Sequence, residues 1–245
     1  MNHGPLLFLG VLCCVVASWL GLVVGPHFQF GNQDLVLIEE TGASYPSARD
    51  GLALQGAEIY RANGCNYCHT QQVRGASEGA DIARGWGKRR TVARDYLRDR
   101  PVMLGNHRFG PDLANLGARQ YTTNDLYLKL YNARLLHPRS VMPRYPYLFE
   151  ERPLRPGAAP SSDALQFPEG SAAPANVEVI PKADALALVA YLQSLKSDAV
   201  FFEVFPPPQP AAATNGLSGV DTNAPALGDQ TNAAPAAGAG ATSTP

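Results

Sequence analysis

The chain has 245 residues, of which 45% are hydrophobic, and this length allows one or two domains. Its formal net charge of −1 hides an asymmetry, because residues 74–155 carry 16 Lys+Arg against 8 Asp+Glu, a balance of +8, and the remainder carries −9. Four cysteines form two close pairs, at 13 and 14 and at 65 and 68, and this spacing excludes a disulfide framework. We expect a charged partner or cofactor for the basic middle, and no nucleic acid.

The N-terminus predicts a membrane anchor. Pro5 to Val24 is a run of 20 residues without a formal charge, and at about 1.5 Å per helical residue it spans roughly 30 Å, the thickness of a bilayer's hydrocarbon core. A cleaved signal peptide would have a basic start and a shorter apolar run. We therefore predict a single transmembrane helix over residues 5–25 that contacts membrane lipid, with Cys13 and Cys14 acting as small hydrophobic residues.

The next residues are predicted to be a tether over 26–50. Pro26, Gly31, Gly42 and Pro46 would each interrupt a long element there.

A mainly α domain is predicted over residues 51–200, because apolar residues recur at three- and four-residue spacing. The predicted helices are Leu52–Arg61, Thr91–Arg98, Thr123–Arg134 and a last one that opens at Pro181. The apolar face predicted for that last helix consists of Leu186, Val189, Leu192 and Leu195.

Two stretches are predicted to lie outside the packed core. Residues 153–175 are rich in Pro, Ala, Ser and Gly, which indicates a surface insertion. Residues 201–245 are a Pro- and Ala-rich tail that we predict to be disordered, since it has too few large apolar residues to offset its ordering entropy.

The motif that carries chemistry is Cys65-Asn66-Tyr67-Cys68-His69, the attachment signal of c-type haem. Cysteines three residues apart lie on one face of a helical turn, where both sulfurs can bond to one porphyrin, and the adjacent histidine can bind the iron. Thioredoxin-like chemistry would need a βαβ context, and a zinc site would need two further close ligands. We therefore predict one covalent haem, with His69 as an axial ligand.

The other side of the iron needs a second ligand, for which Met142 is our prediction. It lies in Ser140-Val141-Met142-Pro143, an irregular segment that can fold back over a haem face. The alternatives are Met103, whose more common role is core filling, and His107 or His137. A thioether ligand favours ferrous iron and leaves no vacancy for a substrate, so this ligand pair favours electron transfer.

A third segment, Gly110-Pro111-Asp112-Leu113, lies between these two motifs. A metal-binding histidine commonly donates its other ring N–H to a carbonyl, which orients the ring. We predict that the carbonyl of Pro111 has this role for His69.

Together these residues resemble a class I cytochrome c, and more closely the mono-haem subunit II of cbb3-type cytochrome c oxidases. The segments that carry the resemblance are CHTQQVR (Cys68–Arg74), RFGPDLANLG (Arg108–Gly117) and SVMPRYPYLF (Ser140–Phe149), with Tyr191-Leu192 in a final helix. The chain departs from the family's pattern between Arg74 and Arg108 and at Tyr131-Asn132-Ala133.

This resemblance implies an electron-transfer subunit without catalytic residues of its own. One haem c would be held by Cys65 and Cys68 and ligated by His69 and Met142. It would relay electrons from other cytochrome c subunits to the haem–copper subunit that reduces oxygen. The location implied is the inner membrane, with the haem domain on the periplasmic side, since haem c is attached after export.

Arg74 and Arg108 fall within the family-like segments, and we predict that they lie at or near the haem propionates. The run Lys88-Arg89-Arg90 is predicted either to dock an acidic partner surface or to be a solvated charged face.

Three other functions remain open at this point: a haem enzyme or gas sensor with a labile sixth ligand, a scaffold subunit with a structural haem, and a cytochrome of a different respiratory complex.

Overall fold

The computed structural model describes residues 3–31, 33–155, 157–171, 176–202 and 204. In these residues an apolar N-terminal helix leads into a domain dominated by helices, which confirms the predicted mainly α class. The strands in this part of the chain form two two-stranded antiparallel sheets. The tail predicted to be disordered lies outside the described residues, apart from positions 201, 202 and 204.

The N-terminal helix is one apolar rod over Gly4–Phe30, long and apolar enough to cross a membrane. It consists of α1 (Gly4–Trp19), a π-helical stretch (Leu20–Val24) and α2 (Gly25–Phe30). The predicted interruption at Pro26 is therefore wrong. In the π-helical turn before Pro26, the N–H of Gly25 donates to the carbonyl of Leu20. This turn places Pro26 in the first turn of α2, where a missing N–H is tolerated.

The predicted tether contains a hairpin that packs on the domain. Strands β1 (Val36–Ile38) and β2 (Ala43–Tyr45) pair antiparallel, and the Tyr45 hydroxyl donates to Asp95 at 2.7 Å. Nearby, Nε of Arg98 donates to the carbonyl of Pro46 at 2.8 Å. The connection between the apolar helix and the domain is thus fixed by side-chain contacts.

Three helices form the body of the domain: α3 (Gly51–Ala62), α4 (Thr123–Asn132) and α5 (Ala183–Ser194). Both α3 and α4 begin at a side-chain cap, as Asp50 accepts from the N–H of Ala53 at 2.7 Å and Thr122 forms a capping box with Asp125. The helix predicted over Thr91–Arg98 is only a short 3₁₀ turn, Ala93–Tyr96.

Helices α3 and α5 pack against each other at a glycine. A Cβ on Gly56 would lie 1.9 Å from the carbonyl oxygen of Ala187, so only glycine allows this approach. One turn further on, the rings of Tyr60 and Tyr191 meet with their centroids 5.3 Å apart. The predicted apolar face of α5 is wrong at Leu186, which is 43% exposed. Other elements cover α5 on several sides, so its buried surface is wider than one stripe.

The segment predicted to be a surface insertion connects β3 (Phe149–Pro153) to β4 (Val177–Pro181), which pair antiparallel. Part of it belongs to the core, because Leu165 is buried and donates its N–H to the carbonyl of Val179 at 2.8 Å. For Leu165 the prediction of a surface position is therefore wrong.

A second, smaller core joins the hairpin to residues 201 and 204 through Tyr45, Phe201 and Val204. For Phe201 and Val204 the prediction of a disordered tail outside the core is therefore wrong. Arg89 lies beside it with 1% of its surface exposed. Its guanidinium donates to both carboxylate oxygens of Asp95, at 2.7 and 2.9 Å, and lies 4.9 Å from the ring of Phe201. Arg89 is thus buried, and the prediction that it belongs to a charged surface is wrong. Its neighbours Lys88 and Arg90 are exposed.

Arg89 and Arg90 form a matched pair for a stability test. We expect Arg89→Met to lower the free energy of unfolding by about 3–5 kcal/mol, because it leaves the buried Asp95 carboxylate without its cation. The matched change Arg90→Met should stay within about 0.5 kcal/mol of wild type, as is usual for an exposed site. Denaturant unfolding of the full chain in detergent micelles measures both. Equal losses in the two variants would contradict the buried pair.

Candidate functional site

The haem motif lies in a tight turn that follows α3. Gly64 adopts φ +66°, a left-handed conformation that ends helices, and Cys65–Tyr67 form a 3₁₀ turn. The N–H groups of Cys68 and His69 both donate to the carbonyl of Cys65, at 3.2 and 2.9 Å. The side chain of Cys65 is half-buried and that of Cys68 is exposed. Burial raises the pKa of the Cys65 thiol to about 11.

The imidazole of His69 is oriented by the segment predicted to hold it. Its Nδ1 lies 2.8 Å from the carbonyl oxygen of Pro111. A carbonyl only accepts hydrogen bonds, so Nδ1 carries the proton and Nε2 is left to bind a metal. Burial lowers the pKa of His69, while the Pro111 carbonyl and the nearby Asp112 act in the opposite direction.

Two chain segments run side by side around His69. Residues 66–72 and 104–113 are joined by four backbone hydrogen bonds of 2.8–3.0 Å. These are Asn106 N to Asn66 O, Gln71 N to Leu104 O, Gly110 N to Cys68 O and Leu113 N to Thr70 O. The pairing is possible because two glycines contact His69 closely. A Cβ on Gly110 would lie 2.2 Å from Cε1 of the His69 ring, and a Cβ on Gly105 would lie 2.2 Å from the carbonyl oxygen of His69.

The loop that contains Met142 folds beside the same motif. Met142 is half-buried and packs against the main core, as Cys65 does. Two tyrosines that follow Met142 lie near the motif. The Tyr147 hydroxyl donates to Asn63, two residues before Cys65. The pKa of Tyr145 is raised to about 12, first by burial and then by the nearby Cys65 and Cys68.

The alternative ligands were Met103, His107 and His137. Met103 also packs against the main core and lines a groove together with Leu54 and Arg61 of α3. His107 and His137 are exposed, and the ring of His107 stacks on Phe109 with a centroid distance of 5.6 Å.

The two arginines predicted near the propionates share one buried carboxylate. Arg74 donates to Asp81 at 3.0 and 3.2 Å, and Arg108 donates to it at 2.6 and 2.7 Å. Burial alone would raise the pKa of Asp81, but these hydrogen bonds outweigh it and hold the pKa at about 2. Arg108 also lies 3.8 Å from the carboxylate of Asp112, so the two arginines face two buried carboxylates. Contact of either arginine with a propionate stays a prediction.

Arg119 is a residue that the sequence analysis missed. Burial lowers its pKa, its Nη2 donates to the carbonyls of Trp86 and Asp112, and its buried Nε has no partner. Within the described residues it forms no ion pair with a carboxylate. The unpartnered Nε atom of this half-buried guanidinium group needs an acceptor, so the site suits a ligand that carries carboxylates. No local sequence pattern marks Arg119, because the fold brings its partners to it from residues 86 and 112.

The residues present fit a haem group. Apolar side chains beside the motif, the GPDL segment and the methionine are widely exposed: Tyr67 is 64%, Phe109 71% and Val141 76% exposed. A flat apolar group over His69 would cover such side chains, and its carboxylates would suit Arg119. Among the described residues there is no cluster of three or more His, Cys, Asp or Glu that could hold a bare metal ion.

The contact between Gly110 and the ring of His69 can be tested directly. We expect Gly110→Ala to shift the absorption band of the haem-containing protein and to destabilise the protein by about 1–3 kcal/mol, since the added methyl group displaces the ring of His69. Gly75→Ala is the control, because its Cβ would meet other atoms only at 3.8 Å or more. Absorption spectra and thermal unfolding of the haem-containing proteins measure the difference. A wild-type band in Gly110→Ala would contradict the close contact.

Comparison with known proteins agrees with the site. A family model described as cytochrome c oxidase, mono-heme subunit/FixO, matches residues 6–159. The match covers the apolar helix, the CNYCH motif, the GPDL segment and the loop with Met142. No curated protein matches the chain. Since the match spans more than half of the sequence, the chain belongs to the FixO family, the mono-haem subunits of cytochrome c oxidase.

Proposed function

We propose that this subunit carries one haem bound covalently by Cys65 and Cys68, with His69 and Met142 as the axial ligands of its iron. The observation that carries the proposal is the His69 ring directly after the double-cysteine turn, held through Nδ1 by the carbonyl of Pro111 at 2.8 Å. Such a contact orients a ligating histidine and raises its basicity. Membership of a mono-haem oxidase family supports the same cofactor.

The protein's own groups define what the bound haem can do. His69 and Met142 would hold the iron of the haem from two sides and leave no open position for a substrate, and the haem would supply one-electron chemistry when bound. His69 is fixed by the paired segments on one side, and the Met142 loop is held at the motif by Tyr147. Arg119 would meet a propionate, and Arg74 and Arg108 with Asp81 would lie at or near the propionates. This arrangement supports electron relay.

The subunit would deliver electrons from other cytochrome c subunits to the haem–copper subunit, where oxygen is reduced. Its apolar helix over Gly4–Phe30 and its family support a membrane anchor. We place the haem domain on the periplasmic side of the inner membrane, because haem c is attached after export. The hairpin that follows the anchor is attached to the domain through Tyr45 and Asp95.

Haem staining of denaturing gels tests the attachment and the side of the membrane together. The wild-type band should stain, the double variant Cys65→Ala with Cys68→Ala should not, and protease added outside spheroplasts should remove the stained domain. The single change Cys14→Ala, in the apolar helix, is the control and should keep the stain. Covalent attachment is contradicted if acid–acetone extracts haem from the wild-type protein. The topology is contradicted if the stained band survives the protease under conditions that digest a known periplasmic domain.

The sixth ligand is tested by paired methionine variants. Met142→Leu should abolish the methionine-to-ferric-iron charge-transfer band and allow rapid carbon monoxide binding, and Met142→His should lower the midpoint potential, because imidazole favours ferric iron more than a thioether does. Met103→Leu, a change of similar volume at a core position, should leave the spectrum intact. If the band persists in Met142→Leu, or if the wild type binds carbon monoxide rapidly, the proposed ligand set is wrong.

A further inference from the structure

Asp112 is a fully buried carboxylate beside the ligand loop, with 0% of its surface exposed. Its Oδ2 accepts from the hydroxyl of Thr70 at 2.6 Å and from the N–H of Gln72 at 2.7 Å. Its Oδ1 accepts from the N–H of Ala114 at 2.9 Å. Two of these three hydrogen bonds join the residues that follow His69 to the GPDL segment, and the third, from Ala114, is local to that segment.

These hydrogen bonds act on the group that orients His69. The carbonyl of Pro111 belongs to the planar peptide unit that ends at the Cα of Asp112. Fixing the Asp112 side chain from Thr70 and Gln72 therefore fixes the direction of that carbonyl toward Nδ1 of His69. The donors belong to Thr70 and Gln72, the second and fourth residues after Cys68. The Asp112 carboxylate therefore connects the end of the motif to the Pro111 carbonyl that orients His69.

Among the described residues, the Asp112 carboxylate differs from those of Asp81 and Asp95 in accepting its hydrogen bonds from a hydroxyl and backbone N–H groups alone. Asp81 is hydrogen-bonded to two guanidinium groups and Asp95 to one. The cation nearest to Asp112 is Nη2 of Arg108 at 3.8 Å, beyond hydrogen-bonding distance. A buried negative charge acts over a longer range than a solvated one, because the surroundings screen it less.

We propose that Asp112 is the positioning residue of the iron ligand: it holds the Pro111 carbonyl on His69, and its buried charge stabilises the ferric haem. The proposal rests on the proposed function, since it requires His69 to bind the iron. It assigns to Asp112 two separable effects, one on the geometry of the ring and one on the midpoint potential.

Two variants of the full-length haem protein in detergent micelles separate these effects. Asp112→Asn keeps the shape of the side chain and removes the charge, so the midpoint potential should shift upward in a spectropotentiometric titration. Thr70→Val removes one donor to Asp112 and keeps the charge. We expect it to speed deuterium exchange of the His69 Nδ1 proton about tenfold, the factor that corresponds to losing one hydrogen bond to a charged group. Proton NMR of the ferric protein follows that exchange.

The control is Asp95→Asn, which removes another buried carboxylate, 3% exposed, from the side of the domain that holds the hairpin. It should reduce stability and leave both the potential and the exchange rate at wild-type values. Wild-type potential in Asp112→Asn, wild-type exchange in Thr70→Val, or an equal potential shift in Asp95→Asn would each overturn the proposal. Should Asp112→Asn fail to fold, Thr70→Val still decides on the positioning. Haem staining and the charge-transfer band of the wild type report separately on the proposed function.

Discussion

The backbone pairing of residues 66–72 with residues 104–113 is the constraint on which the site depends. Four hydrogen bonds hold the two segments together, and they leave so little space around His69 that glycine is required at positions 105 and 110. The ring is consequently held from one side by the peptide chain and by the Pro111 carbonyl, with Nε2 left for a metal. A ligand held in this way needs little rearrangement when the charge of its metal changes.

The paired segments are connected to the helical core by a buried side-chain contact. Gln71, two residues after His69, donates to the hydroxyl of Tyr191 on α5 at 2.9 Å. Tyr191 packs on Tyr60 of α3, beside the close approach of the helices at Gly56. The helix crossing thus provides a rigid base for the ligand segment, and α3 leads directly into the cysteine turn.

Much of the basic middle of the chain is used inside the protein. Arg74 and Arg108 are paired with Asp81, and Arg89 is paired with Asp95 next to the hairpin that follows the membrane helix. Asp81 and Asp95 belong to the same segment, so these ion pairs leave its balance of +8 unchanged. They show that a basic residue of this segment can organise loops near the motif or attach the hairpin to the domain, so a charge in the sequence does not by itself mark a partner surface.

The sequence by itself determined the features that depend on local order: the apolar helix, the CNYCH turn and the family, since each is carried by residue types at short spacing. It also led to Pro111, although that contact joins residues 42 positions apart. Only the tertiary structure decided that Arg89 is buried, that Leu165 belongs to the core, and that Asp112 and Arg119 lie beside the motif. Burial of a charged residue depends on partners brought together by the fold from distant parts of the chain, and no local pattern records them.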